Sequence, residues 1–360
     1  MNVFIADPGW GWWIIGYFFL GGIAAGAYFM ATLIDLVGKK EEDHGISRIG
    51  FRIAFPLIVV CAAFLTVDLE KPDRFWHMMF KSEVVEHAWE TKSWGELLHA
   101  PLFKYWSPMS IGSWALTIFG LCSFISFLGS FRSRHETTGM LHRCFQIVGC
   151  TVGFFVAAYT GALLTATNQL VWSDTPWVAP LFLASAASTG IAFMMLLAGR
   201  SVSHDSLIRL ERADAWALGL EFLVFLIFLE SLGSLLLPVW QTVNGKILIA
   251  GTLILGLVLP LLIHLSGGLH RKSGLALASI SVLIGGFMLR YGIVKTAPEL
   301  LTKSSPELVK MTEPRPVVGG IDFPWRFSPE QGRVPGESRG ADPGNEVGPV
   351  VPRSKVFKGE

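Results

Sequence analysis

Long apolar runs constrain the fold of this chain more than any other feature. Of its 360 residues, 51% are hydrophobic and only 16% are charged. Several runs reach about 20 residues, which is the length at which an α-helix crosses a bilayer and is too long for an ordinary core helix. The sequence therefore predicts an all-α, polytopic bundle of membrane-spanning helices.

Eight transmembrane helices are predicted from these runs. They cover roughly residues 12–38, 50–68, 107–130, 145–170, 178–199, 214–237, 247–268 and 274–294. The short links that follow the odd-numbered spans are rich in Lys and Arg, whereas the other short links carry few cations. Because cations concentrate in cytoplasmic links, we expect both termini and the 68–106 loop outside, in a bacterial inner membrane.

The composition changes after residue 296. Residues 297–360 are rich in Pro and Gly, carry mixed charges and contain few apolar side chains, so they cannot build a core of their own. We therefore divide the sequence into a transmembrane domain, 1–296, and a polar tail, 297–360. The tail is either disordered or an extended segment that binds a partner subunit.

Charge and ligand spacing exclude several classes of protein. The net charge is +1, with no basic surface typical of nucleic-acid binding. The four cysteines lack the close CxxC spacing of metal or iron–sulfur sites. Bis-histidine haem needs two histidines that face each other from the spans, but only His264 lies clearly inside a span. We expect no metal, haem or iron–sulfur cluster in this protein, so electrons must pass through another subunit.

A dense group of charged and aromatic residues directly follows the second span. It reads Asp68-Leu-Glu70-Lys-Pro72-Asp-Arg74-Phe-Trp-His77. Pro72 lacks an N–H and disfavours helix at the preceding residue, so the helix should end here. Ionisable groups at the rim of a membrane are costly unless they are paired or face water, and they mark functional sites. The alternative is a structural ion pair between Asp68 and Arg74.

Polar side chains within the spans separate by depth. The outer half contains Tyr17, Asp68, Glu70, Tyr159, Thr160, Asn168, Glu230, Arg290 and Tyr291, and the inner half contains Asp35, Gln146, Glu221 and His264. Phenols, carboxylates and an arginine at the outer end could hydrogen-bond the two carbonyls of a quinone and exchange protons with it. The inner set, chiefly Asp35, Glu221 and His264, could form a proton route, although structural hydrogen bonding is the interpretation we favour.

Several of these segments together resemble one family. The run from Asp68 to Trp76 resembles the D-L-x-x-P-x-R-F-W signature of the NrfD/polysulfide reductase membrane subunits. Ser107-Pro-Met-Ser-Ile-Gly-Ser-Trp and Tyr159-Thr-Gly-Ala-Leu-Leu are similar to further motifs of that family. The resemblance implies a cofactor-free quinone-binding subunit of eight or ten helices. It also implies docking to a ferredoxin-like four-cluster iron–sulfur subunit, which passes electrons to a molybdopterin catalytic subunit or a multihaem cytochrome c.

The resemblance further implies a quinone site between the first and fourth spans. Tyr159 matches the tyrosine of that site, and Tyr17 stands where the polysulfide reductase form has a histidine. With the residue argument above, we predict that menaquinone or ubiquinone is bound there as an exchangeable ligand. The predicted binding residues are Tyr17, Asp68, Arg74, His77 and Tyr159, with Glu70 and Glu230 as secondary candidates, and Asp68, Tyr159 and His77 are the predicted catalytic groups. A passive membrane anchor and a proton-conducting or transport subunit remain the alternatives.

Overall fold

The computed structural model describes most of the predicted transmembrane domain. It covers residues 9–38, 43–69, 71–80, 107–131, 139–167, 169–198, 202, 204–266 and 272–303, without the side chains of residues 74, 204, 272, 302 and 303. Most of the 68–106 loop and residues 304–360 lie outside the described residues. The division into a transmembrane domain and a polar tail therefore stays a prediction.

The described residues form an all-helical bundle, as predicted. Its helices are α1 (Trp12–Val37), α2 (His44–Asp68), α3 (Trp76–Met79), α4 (Pro108–Gly129), α5 (Met140–Thr165), α6 (Val178–Ala198), α7 (His204–Ser231), α8 (Leu236–Gln241), α9 (Val243–Leu265) and α10 (Lys272–Lys303). Seven of them are long and apolar enough to cross a membrane. An eighth span is formed if α7 is counted together with Gly233–Gln241, which is bent from it by 93°. The prediction of a polytopic bundle with about eight spans is confirmed.

Three helices extend by six residues or more beyond the apolar segments that predicted them. Helix α2 begins at His44, α7 begins at His204 and α10 ends at Lys303, whereas the predicted limits were 50, 214 and 294. Polar contacts hold these added turns. Asp43 accepts hydrogen bonds from Ser206 and Arg209 near the start of α7. Hydropathy detects only the part of a helix that lies in hydrocarbon, so it cannot detect such turns.

The end of α7 bends because of a glycine. Gly233 has φ +50°, in the left-handed region that glycine adopts without steric penalty. The backbone turns there into α8, which is short and carries the exposed apolar side chains of Leu237 and Trp240. Such a segment is typical of the membrane interface, where Trp is enriched.

The spanning helices pack as two groups of four. In the first group, α1 packs against α2 and α5, α2 against α4, and α4 against α5. In the second group, α6 packs against α7 and α10, and α10 against α9. The two groups meet mainly along α1 and α6. The end of the bundle at which α1 begins and α2 ends is called the outer end below.

Glycines allow the two groups to approach closely. A Cβ on Gly26 would lie 1.8 Å from the Ala186 carbonyl oxygen, and one on Gly190 would lie 2.4 Å from the Ala27 nitrogen. Gly22, one turn earlier on α1, faces the guanidinium of Arg290. Small residues at such positions let helix backbones pack in a membrane, where neighbouring helices gain little from hydrophobic burial.

Candidate functional site

Tyr17 is buried at the outer end of the first group, with 4% of its surface exposed. The Cys61 thiol of α2 donates to the Tyr17 carbonyl, with an S···O distance of 3.8 Å. The Tyr17 phenol lies close enough to Tyr159 for the two groups to interact electrostatically. Within the part of the protein that the structure describes, the Tyr17 hydroxyl makes no hydrogen bond. It is therefore a donor without a protein acceptor there.

The Tyr159 side chain extends from α5 to the first turn of α4. Its hydroxyl donates a hydrogen bond to the Pro108 carbonyl, and its ring stacks on Phe155 with the centroids 5.6 Å apart. A Cβ on Gly112 would lie 2.3–2.5 Å from the Tyr159 ring and hydroxyl, so only glycine leaves room for the phenol. The phenol oxygen keeps lone pairs that can accept a further hydrogen bond.

The charged segment after α2 folds as two short helical turns across the start of α4. Leu69 is extended, so α2 ends at Asp68, as predicted from Pro72. The Met79 carbonyl at the end of α3 accepts hydrogen bonds from the Ser110 hydroxyl at 3.2 Å and the Trp114 indole nitrogen at 3.0 Å. The segment is thereby fixed to the same helix on which Tyr159 rests.

The remaining predicted outer residues differ in position. Asp68 is half-buried and makes no ion pair or hydrogen bond with a described residue, while His77 on α3 stacks on Trp76 at 3.8 Å. Glu70 and the side chain of Arg74 lie outside the described residues, so the pairing of Asp68 with Arg74 stays a prediction. Tyr17, Asp68, His77 and Tyr159 all lie at the outer end of the first group. Glu230 is exposed on α7, in the second group.

Arg290 and Glu221 form a buried polar cluster where the two groups meet. Arg290 Nε donates to the Phe18 carbonyl at 3.0 Å, and Arg290 Nη1 donates to the Ser185 hydroxyl at 3.0 Å. Glu221 accepts a hydrogen bond from Ser188, and its carboxyl group also lies close to the Ser185 hydroxyl. The sequence assigned Arg290 to the outer half and Glu221 to the inner half, but the structure brings both side chains to Ser185 on α6.

The predicted inner residues are divided between the two groups. In the second group His264 Nε2 lies 2.9 Å from Asp214, which is fully buried. In the first group Asp35 accepts a hydrogen bond from Gln146 at 3.2 Å. Asp35 therefore does not join His264 and Glu221.

Sequence reasoning missed Asp214, because that residue fell at the edge of a predicted span. Its spacing of seven residues from Glu221 places both carboxyl groups on one face of α7, and that periodicity was the available signal.

A family model described as Polysulphide reductase, NrfD matches residues 6–299, which include every described helix up to most of α10. The protein belongs to the NrfD family. A polysulfide reductase chain of Wolinella succinogenes is 26% identical over 325 residues, covering 79% of this sequence and 93% of that protein. A selenate reductase subunit of Mesobacillus selenatarsenatis is 24% identical, covering 82% of this sequence and 75% of the relative. Protein NrfD of Escherichia coli is 26% identical, covering 79% and 93% respectively.

Membership of the NrfD family agrees with the resemblance drawn from the motifs. It also agrees with the structure, because the matched region contains the helices long enough to span a bilayer. The molecule is a multi-pass membrane protein. The start of α4, which carries one of these motifs, is hydrogen-bonded to Met79, three residues after the motif that follows α2.

Proposed function

We propose that this NrfD-family protein is the membrane subunit of a reductase complex and exchanges electrons between membrane quinone and an iron–sulfur partner. The observation that carries the proposal is the Tyr17 hydroxyl, which belongs to a buried side chain, has no hydrogen-bond acceptor among the described residues and lies near Tyr159 at the outer end of the first group. A phenol hydroxyl without a protein acceptor can donate its proton to a ligand carbonyl. Menaquinone and ubiquinone both present such carbonyls.

The two tyrosines have different roles in this proposal. Tyr17 can donate to a quinone carbonyl without breaking a hydrogen bond. The Tyr159 proton is already donated to the Pro108 carbonyl. Tyr159 must therefore break that hydrogen bond to donate to a quinone carbonyl, or keep it and accept a hydrogen bond from the hydroxyl of the reduced quinol. Tyr17 therefore provides binding affinity, and Tyr159 links ligand binding to the start of α4.

In this proposal, residues nearer the outer rim of the bundle exchange protons with water. Asp68 ends α2 and His77 lies on α3, where the backbone leaves the bundle. A carboxylate and an imidazole can both accept and return protons near neutral pH when they are positioned within hydrogen-bond reach of a reacting group. Asp68 has no described ion-pair partner that would hold it in one charge state.

An iron–sulfur partner is proposed to dock at the outer end. Two of the relatives are named as a chain of polysulfide reductase and a subunit of selenate reductase, so each is a component of a larger reductase. A ferredoxin-like subunit docked there would place its nearest cluster close to Tyr17 and Tyr159, with a molybdopterin subunit or a multihaem cytochrome c beyond it. Exposed Trp12, Trp13 and Phe75 provide an aromatic surface at this end.

The Tyr17→Phe variant tests the proposal. It removes one hydroxyl that makes no described hydrogen bond, so the complex should assemble with unchanged stability. We expect quinone-linked turnover, measured on the purified complex with a short-chain quinone analogue, to fall about tenfold or more, since a hydrogen bond to the reacting ligand is lost. Electron transfer from the catalytic subunit to a soluble dye should be unchanged.

Tyr291→Phe is the matched control, because Tyr291 lies on α10 and stacks on Trp12, on another side of α1. The control should retain full quinone activity. A Tyr17→Phe complex that also retains it would refute the proposed site and favour a passive anchor.

Proton conduction is a second candidate function, favoured by the arrangement of the second group. Asp214 and Glu221 share one face of α7, His264 pairs with Asp214, and Arg290 interacts with Glu221. Intramembrane ionisable groups in such a series are typical of proton routes. If protons move there, Glu221→Gln should abolish acidification or alkalinisation measured in vesicles while electron transfer continues. Loss of both activities together would instead indicate a structural role.

A further inference from the structure

A second feature lies on the side of the bundle, far from the tyrosines. Between α2 and α6 the structure contains a groove of about 320 Å³. Its walls are apolar and include Ile53 and Leu57 of α2 and Phe193 and Leu197 of α6. The groove therefore runs along a line where the first and second groups of helices meet.

Arg52 lies in this groove and is held in place by the residues that follow α4. Arg52 Nε donates to the Ser130 hydroxyl at 3.2 Å, and Nη2 donates to the Ser130 carbonyl at 3.0 Å. The guanidinium carbon lies 4.6 Å from the centroid of the Phe131 ring. These contacts fix the orientation of the guanidinium, and Nη1 is not used in either hydrogen bond to Ser130.

The charge of Arg52 is not compensated within the described residues. No acidic side chain there forms an ion pair with it, and Arg52 is exposed on the surface of the helix. It precedes the outer end of α2 by 16 residues, or about 24 Å at 1.5 Å per residue, which is close to the opposite edge of a hydrocarbon core of about 30 Å. At that depth a lipid phosphate is an anion that an exposed guanidinium can reach.

Pro56 adds a second polar group at the same place. It lies inside α2 and has no N–H, so it cannot donate the helical hydrogen bond to the Arg52 carbonyl. A guanidinium donor and a freed carbonyl acceptor therefore lie beside an apolar groove. This combination matches a phospholipid, which has an anionic phosphate, headgroup hydroxyls and hydrocarbon tails.

We propose that this groove binds one anionic phospholipid, with its phosphate on Arg52 and an acyl tail between α2 and α6. Arginine recognises phosphate through short, charge-assisted hydrogen bonds, and basic sites between transmembrane helices bind anionic lipid headgroups. An anionic lipid is favoured over a zwitterionic one because the guanidinium has no acidic partner among the described residues. The bound tail would fill the space between the two groups and stabilise their packing.

The test uses the full complex, delipidated in mild detergent and placed in nanodiscs of phosphatidylcholine with or without phosphatidylglycerol. Bound phospholipid is counted by native mass spectrometry, and stability is measured by thermal unfolding. We expect one phosphatidylglycerol to be retained, with Arg52→Gln weakening its binding about tenfold through the loss of charged hydrogen bonds. Arg212→Gln, at another exposed arginine on α7, is the charge-matched control and should retain the lipid.

A second variant, Leu197→Trp, fills the groove without changing its charge. It should also release the lipid, while both variants keep their quinone activity. The proposal is overturned if Arg52→Gln retains phosphatidylglycerol as the unmodified complex does, or if phosphatidylcholine binds equally well. It is also overturned if inorganic phosphate without lipid gives the same stabilisation. A third refuting outcome is that Arg52→Gln converts a dimer of the complex to a monomer, because that would show that a second copy of the protein covers the groove.

Discussion

Replacing Tyr159 by Phe separates the structural contribution of this phenol from its proposed function. The change removes the hydrogen bond to the Pro108 carbonyl but keeps the ring, which stacks on Phe155 and rests on Gly112. A net hydrogen bond contributes about 0.5–1.5 kcal/mol to stability. Because Pro108 begins α4 at the outer end, water can reach its carbonyl after the change, so the cost should lie in the lower part of that range.

The assay combines thermal unfolding of the purified complex with quinone titration. A loss of at most about 1 kcal/mol should lower the unfolding midpoint by no more than about 2–4 °C. The apparent KM for quinone should rise because α4 is no longer held through the phenol. Tyr17→Phe should show the opposite pattern, with an unchanged midpoint and lost turnover. If Tyr159→Phe lowers the midpoint no more than Tyr17→Phe does, the Pro108 hydrogen bond does not hold α5 to α4 and our reasoning is wrong.

Three further predictions concern the framework around the site. Gly26→Ala should destabilise the bundle by about 1–3 kcal/mol or more in thermal unfolding, because its Cβ would meet backbone atoms of α6. The control Gly219→Ala should be neutral or stabilising, because a Cβ at Gly219 would have no atom within 4 Å. Glu299→Ala removes the carboxylate that accepts hydrogen bonds from the first two backbone N–H groups of α9, so limited proteolysis should cut the first turn of α9 faster. An unchanged cleavage rate would show that Glu299 does not stabilise the start of this helix. Trp172→Phe loses the indole hydrogen bond to the Ile293 carbonyl and should lower the unfolding midpoint. A midpoint equal to that of the unmodified protein would show that this hydrogen bond contributes nothing to stability.

The sequence by itself determined the approximate number and position of the spans and the end of α2. These features depend on local properties: hydrocarbon admits long apolar helices, and Pro72 cannot continue a helix. The sequence also indicated that Tyr17, Asp68, His77 and Tyr159 belong to one end, because alternate spans run in opposite directions. The resemblance to the NrfD family pointed to Tyr17, Asp68 and Tyr159, whereas His77 was indicated only by its place at the rim of the bundle.

Tertiary structure alone decided which side chains meet. Three arrangements depend on the rotation of each helix about its axis. They are the pairing of Tyr159 with Pro108, the assembly of Arg290 and Glu221 around Ser185, and the separation of Asp35 from His264. In a soluble protein the apolar stripe of a helix would predict that rotation. In a membrane the lipid-facing and helix-facing sides are both apolar, so hydropathy carries no such information. Close packing through residues such as Gly26 and Gly190 fixes the rotation, and it can be read only once the neighbouring helices are known.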